Sequence, residues 1–167
     1  MASAGPFFGT GSNLDRGGSE WEYPTSINAI DDDETSTNVD YYSDYLVCKN
    51  LGFAIPSSAI ITDVSFTYRR WAWLKGIIQD DSIVLCDGGN NVANTSYWDN
   101  ETITKHGGNA YWGVTLTPTM VNSANFGLKI SAKSNAGYNI GTIDYVTCTI
   151  TYTIDSYSSS RTAFMRF

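Results

Sequence analysis

Hydrophobic positions in this chain recur mostly at every second residue, the period of a strand with one face buried. Between residues 61 and 71, Val64, Phe66 and Tyr68 fall on one face while Asp63, Ser65, Thr67 and Arg69 fall on the other. Phe126, Leu128, Ile130 and Ala132 repeat the pattern against Lys129, Ser131 and Lys133. The longest run, 142–154, sets Val146, Cys148, Ile150 and Tyr152 against Thr147, Thr149, Thr151 and Thr153, and its β-branched residues predict a central, well-paired strand. Shorter strands are predicted at 45–51, 82–87, 101–105 and 111–114, with Gln79-Asp80-Asp81 as a break. Turns come at Pro56-Ser57-Ser58, Gly88-Gly89-Asn90-Asn91 and Asn135-Ala136-Gly137. One helical turn is expected, at Thr117-Pro118, with Thr as N-cap and Pro in the first helical position. About six to eight short strands with almost no helix predict an all-β fold, an antiparallel β-sandwich or jelly-roll.

The chain ends break this pattern. Residues 1–20 are rich in Gly and Ser around the aromatic pair Phe7 and Phe8, and residues 156–167 run from Ser into Phe164, Met165, Arg166 and Phe167. The expected organisation is therefore an N-terminal arm at 1–20, a β-sandwich domain at 21–155 and a C-terminal arm at 156–167. Polar segments tipped with apolar residues order best against a partner, which makes Phe7, Phe8, Phe164, Met165, Arg166 and Phe167 contact candidates. Trp71 and Trp73 join them, because alternation puts both on the polar face with Arg69. Either the strand bulges near Arg70 or the rings are exposed.

Charge and chemistry narrow the function. A net charge of −7, with no basic stretch denser than Arg69-Arg70, argues against nucleic-acid binding. No apolar window is long enough for a membrane span, and the N-terminus does not read as a signal peptide. Cys48, Cys86 and Cys148 lie far apart, without a CxxC or Cys/His cluster, and read as buried free thiols of a reducing cytoplasm. The acidic stretch Asp31-Asp32-Asp33-Glu34, with Asp40 and Asp44, lacks the spacing of a calcium loop and reads as solvated. No metal or cofactor is expected. The lone His106 has no placed partner, no nucleophile motif frames a serine, and Asp80 and Asp81 point to opposite faces of a strand. The chain is expected to lack catalytic residues and not to be an enzyme.

Two stretches carry a family likeness. The first is Gly52-Phe53-Ala54-Ile55-Pro56 leading into Ala59-Ile60-Ile61-Thr62-Asp63-Val64. The second is Tyr111-Trp112-Gly113, then Leu116-Thr117-Pro118, then Val121-Asn122-Ser123-Ala124-Asn125-Phe126-Gly127-Leu128, closed by Ile143-Asp144-Tyr145-Val146. Over residues 21 to 154 this series resembles tailed-bacteriophage virion structural proteins. The resemblance implies a capsid decoration or cement subunit that binds and stabilises the shell by contacts with the major capsid protein or other virion proteins. It would be assembled in the host cytoplasm and homo-oligomeric, a trimer by analogy with the three-fold positions of capsid lattices. The same domains occur in neck, tail and head-fibre proteins, so the alternative is a host-carbohydrate-binding sandwich that stacks sugars on Trp71, Trp73, Trp98 or Trp112.

Overall fold

The computed structural model describes residues 1–154. Ten strands form two facing sheets: β1 Ala2–Phe8, β2 Thr10–Leu14, β3 Trp21–Glu22, β4 Thr35–Val39, β5 Tyr45–Lys49, β6 Ala59–Ala72, β7 Ile78–Leu85, β8 Glu101–Gly107, β9 Leu128–Ser134 and β10 Asn139–Ile154. A 3₁₀ turn at Pro24–Asn28 and two one-turn helices, α1 Asn109–Trp112 and α2 Pro118–Val121, complete the elements. One sheet runs β3-β4-β10-β6-β8, and the other β2-β5-β9-β7. β6 pairs along nearly the whole of β10, while β4 takes Asn139–Ile143 and β1 takes Thr147–Tyr152 on the opposite edge. From β4 onward each successive strand lies in the other sheet. The protein is thus an all-β antiparallel sandwich, and none of its described helices is long and apolar enough to cross a membrane.

The alternating residues do what their period predicts. Val64, Phe66 and Tyr68 of β6 and Val146, Cys148 and Ile150 of β10 are buried, and meet Leu128 and Ile130 of β9 across the interior. Trp112 stands edge-on to Phe66 at 5.8 Å and donates its indole N–H to the Val64 carbonyl at 3.1 Å. Trp21 stacks on Trp98 at 6.4 Å. Each such side chain contributes roughly 1.5–3 kcal/mol by leaving water. Trp98 and Trp112 are therefore core residues with no exposed surface, and neither is available to stack on a sugar.

Several expectations change. Residues 2–14 are not a free arm: β1 extends one sheet and β2 the other. The chain passes between the sheets at Gly9, where a Cβ would sit 2.6 Å from the Lys49 carbonyl oxygen and against Cys48 Sγ. β1 escapes pattern reading because it is an edge strand with no buried face, held by its backbone ladder to β10. Residues 111–114 are not a strand: α1 ends in Gly113 at φ 70°, a conformation glycine adopts freely, and this turn carries Trp112 inward. Gln79-Asp80-Asp81 is no break, since β7 begins at Ile78 and Asp80 points into the core, with a register shift before Ser82. The Thr117 cap is present, its hydroxyl accepting the Met120 N–H at 3.2 Å. The contact candidates Phe164, Met165, Arg166 and Phe167 lie outside the described residues.

Candidate functional site

β6 resolves the Trp71–Trp73 alternative. Its alternation continues unbroken through Ala72, and the irregularity near Arg70 falls on the partner strand, between Ile143 and Val146 of β10. The rings accordingly leave the core. Trp71 is half-buried on the outer face with the Arg69 guanidinium 5.3 Å from its ring centre, and Trp73 is 73% exposed.

Trp73 opens the turn into β7, and that turn is clipped to the β9–β10 hairpin. The Trp73 N–H donates to the Ile140 carbonyl at 3.0 Å. The Asn139 side chain accepts the Leu74 N–H at 3.1 Å and returns its own amide N–H to the Leu74 carbonyl at 2.9 Å. Tyr138, reached through Gly137 at φ 79°, donates its hydroxyl to Asn38 Oδ1 at 2.8 Å. Between these clips lies a cleft of about 200 Å³ lined by Trp73, Leu74, Tyr138, Asn139 and Ile140. Leu74 and Tyr138 are 53% and 61% exposed, so the rim is apolar and faces water. Lys75 pairs with Asp99 at 2.8 Å beside it.

A buried ionic network supports this end of the sandwich. By the period of β6, Arg70 points inward with Tyr68 and Phe66, and its side chain is wholly buried. It ion-pairs with the equally buried Asp80 of β7 and with Glu101 of β8, the latter at 2.9 Å. Asp80 also accepts the Trp98 indole N–H at 3.0 Å and the Asn94 N–H at 3.1 Å, and lies 3.5 Å from Lys105 Nζ. Burial holds the Lys105 ammonium below the usual lysine range, with the neighbouring Arg70 adding to the effect and Asp80 opposing it. Two cations and two carboxylates balance, which is the condition for keeping charge in an apolar interior. The network fastens residues 92–98 along β7, where Val92 N and Trp98 N each donate to the strand at 2.8 Å. Trp98 in turn lies under Gly141, the residue after Ile140 of the cleft wall. Arg70 and Asp80 are wholly buried and Lys105 nearly so, while Glu101 carries the network to the surface with 35% of its side chain exposed.

The other candidates are dispersed. Phe7 and Phe8 are 40% and 37% exposed on β1, beside the far half of β10, with Phe7 packed 5.1 Å from Phe53. The structure does not bring them to the cleft. His106 is exposed on β8, its Nδ1 3.5 Å from Asp63. The acidic stretch divides: Asp44 is buried and its carboxylate accepts the Arg16 and Gly18 N–H groups at 3.0 and 2.8 Å, while Asp32 reaches toward Arg69. Among the described residues no group of three or more His, Cys, Asp or Glu side chains is placed to hold a metal ion. Asp144 bonds Arg69 at 3.4 Å through one carboxylate oxygen and leaves the other buried without a partner. Burial raises its carboxyl above the ordinary range, Arg69 opposes this, and Asp32 and Asp31 add to it. The thiols are free, and burial pushes Cys48 up to about 12 and Cys86 to about 11.

Sequence reasoning found Trp73 but missed Leu74, Tyr138, Asn139 and Ile140, which complete the cleft. A usable signal existed in the apolar pair Trp73-Leu74 at a strand end and in a tyrosine directly after the Asn135-Ala136-Gly137 turn. Comparison with protein-family models, with curated proteins and with solved structures finds no match to this chain.

Proposed function

We propose that this protein is a structural subunit of a tailed-bacteriophage particle, a capsid decoration or cement protein that works through protein–protein contacts, with the Trp73–Tyr138 cleft as a contact site. The observation that carries the contact role is an apolar cleft on a hydrogen-bonded frame, where exposed Trp73, Leu74 and Tyr138 stand together as a contiguous patch of the kind that marks contact surfaces. The assignment to a virion rests on the resemblance of residues 52–64 and 111–128 to such proteins. The strand path supports the reading: successive strands alternate between β4-β10-β6-β8 and β5-β9-β7, with residues 92–98 beside β7, as they would in a jelly roll. That architecture recurs in viral shells and in lectins.

The lectin alternative, a fibre or tail domain stacking sugars on Trp73 and Tyr138, meets a chemical objection. Sugar recognition needs free hydrogen-bonding groups beside the rings, whereas Asn139 is committed to both backbone groups of Leu74, the Tyr138 hydroxyl donates to Asn38, and Lys75 and Asp99 pair with each other. An apolar side chain of a protein partner suits the lining better. The test is co-sedimentation of the purified chain with capsid shells of the virus that encodes it. The wild type should pellet with shells and Trp73→Ala should not. A wild type left in the supernatant, or saturable Trp73-dependent binding to a glycan array, would overturn the assignment.

A further inference from the structure

We propose that the Trp73–Tyr138 cleft receives the Phe164-Met165 segment of a second copy of this chain, tying neighbouring subunits head to tail. This deepens the reading of the cleft as a protein contact site, and rests on it.

Reach supports an intermolecular contact. The cleft lies at the first residues of β10 and the chain leaves the described fold at its last, Ile154. A sixteen-residue strand at about 3.3 Å per residue separates these points by about 50 Å. Phe164 follows Ile154 by ten residues, which span at most about 35 Å of fully extended chain. A segment that also had to reverse direction would fall further short of its own cleft. The opposite end of a neighbouring molecule carries no such restriction.

The chemistry matches as well. Residues 164–167 place two phenylalanines and a methionine after a polar, Ser-rich stretch, and the cleft offers Trp73, Leu74, Tyr138 and Ile140. Arg161 and Arg166 make this segment basic, whereas the chain as a whole carries −7. Asp40 is exposed one residue beyond Val39, the β4 residue that pairs with Asn139 of the cleft wall. A contact joining one end of a subunit to the other end of the next is heterologous, and it closes into a ring or continues as a chain of subunits. Either arrangement would link copies across a shell.

The test uses the full chain with the photoreactive amino acid p-benzoylphenylalanine in place of Phe164. Normal and ¹⁵N-labelled copies are mixed, irradiated, digested and read by mass spectrometry. Position 164 should join peptides containing residues 73–75 or 138–140, in isotopically mixed pairs. In sedimentation equilibrium, Trp73→Ala and Phe164→Ala should each weaken self-association about tenfold or more, with the double variant little worse than either single. Cross-links confined to one chain, cross-links to another surface, or a wild type monomeric at all concentrations would each overturn the proposal. A monomer that still pellets with shells through Trp73 would overturn it while leaving the virion assignment standing.

Discussion

Removing the Asp80 carboxylate by Asp80→Ala should be among the most damaging single changes available, and its size follows from what it leaves behind. Arg70 stays fully buried with Glu101 alone to balance it, and Lys105 loses its carboxylate neighbour. The Trp98 indole and the Asn94 N–H lose their acceptor in the same step. Breaking a buried ion pair from one side costs about 3–5 kcal/mol, and an orphaned buried donor about 1–3 kcal/mol. Some relaxation is expected where residues 92–98 approach the surface, which puts the net loss at about 4–6 kcal/mol. Against a typical domain stability of about 5–15 kcal/mol, that is a large share. Urea unfolding followed by tryptophan fluorescence is the assay. With a urea slope of about 2 kcal/mol/M, the midpoint should fall by about 2 M or more. The pair Arg70→Met with Asp80→Leu should cost less than the sum of the two single changes, because the wholly buried cation and carboxylate leave together. A midpoint shift below about 0.5 M for Asp80→Ala, or additive losses in the pair, would refute the view that the network is a charge-balanced unit.

Other consequences are equally open to measurement. Asp144 binds its proton more tightly folded than unfolded, so stability is gained as pH falls through its raised value toward the ordinary Asp range and is lost as pH rises back. Asp144→Asn should therefore raise the urea midpoint at pH 7 and flatten its dependence between pH 4 and 7, and a lowered midpoint with an unchanged slope would contradict this. Gly9→Ala should cost about 1–3 kcal/mol through the clash of its Cβ with the Lys49 carbonyl and Cys48, read from the same unfolding curves. Ellman's reagent at pH 8 should leave Cys48 and Cys148 unreacted in the folded protein and titrate all three thiols in denaturant, because burial disfavours the thiolate. Rapid labelling of Cys48 without denaturant would show that the passage at Gly9 opens.

The amino-acid sequence by itself determined the sandwich character, the inward residues of β6, β9 and β10 and the capped turn at Thr117, and for Trp71 and Trp73 it narrowed the choice to a bulge or outward rings. All of these follow from a period or a cap that acts within a few residues. Alternation alone also implied that Arg70 shares a face with Val64, Phe66 and Tyr68, although nothing near it in the sequence shows which carboxylates an inward guanidinium would meet. What the tertiary structure decided depends on residues distant along the chain. Asp80 is tolerable inside because β6, β7 and β8 bring Arg70 and Lys105 to it. The cleft exists because Leu74 and Asn139, 65 residues apart, are clipped together. β1 is a strand because β10 has a free edge to offer, and an edge strand without a buried face leaves no periodic trace in its residues. Local patterning reports which way a side chain points, and only the path of the chain sets what it meets there.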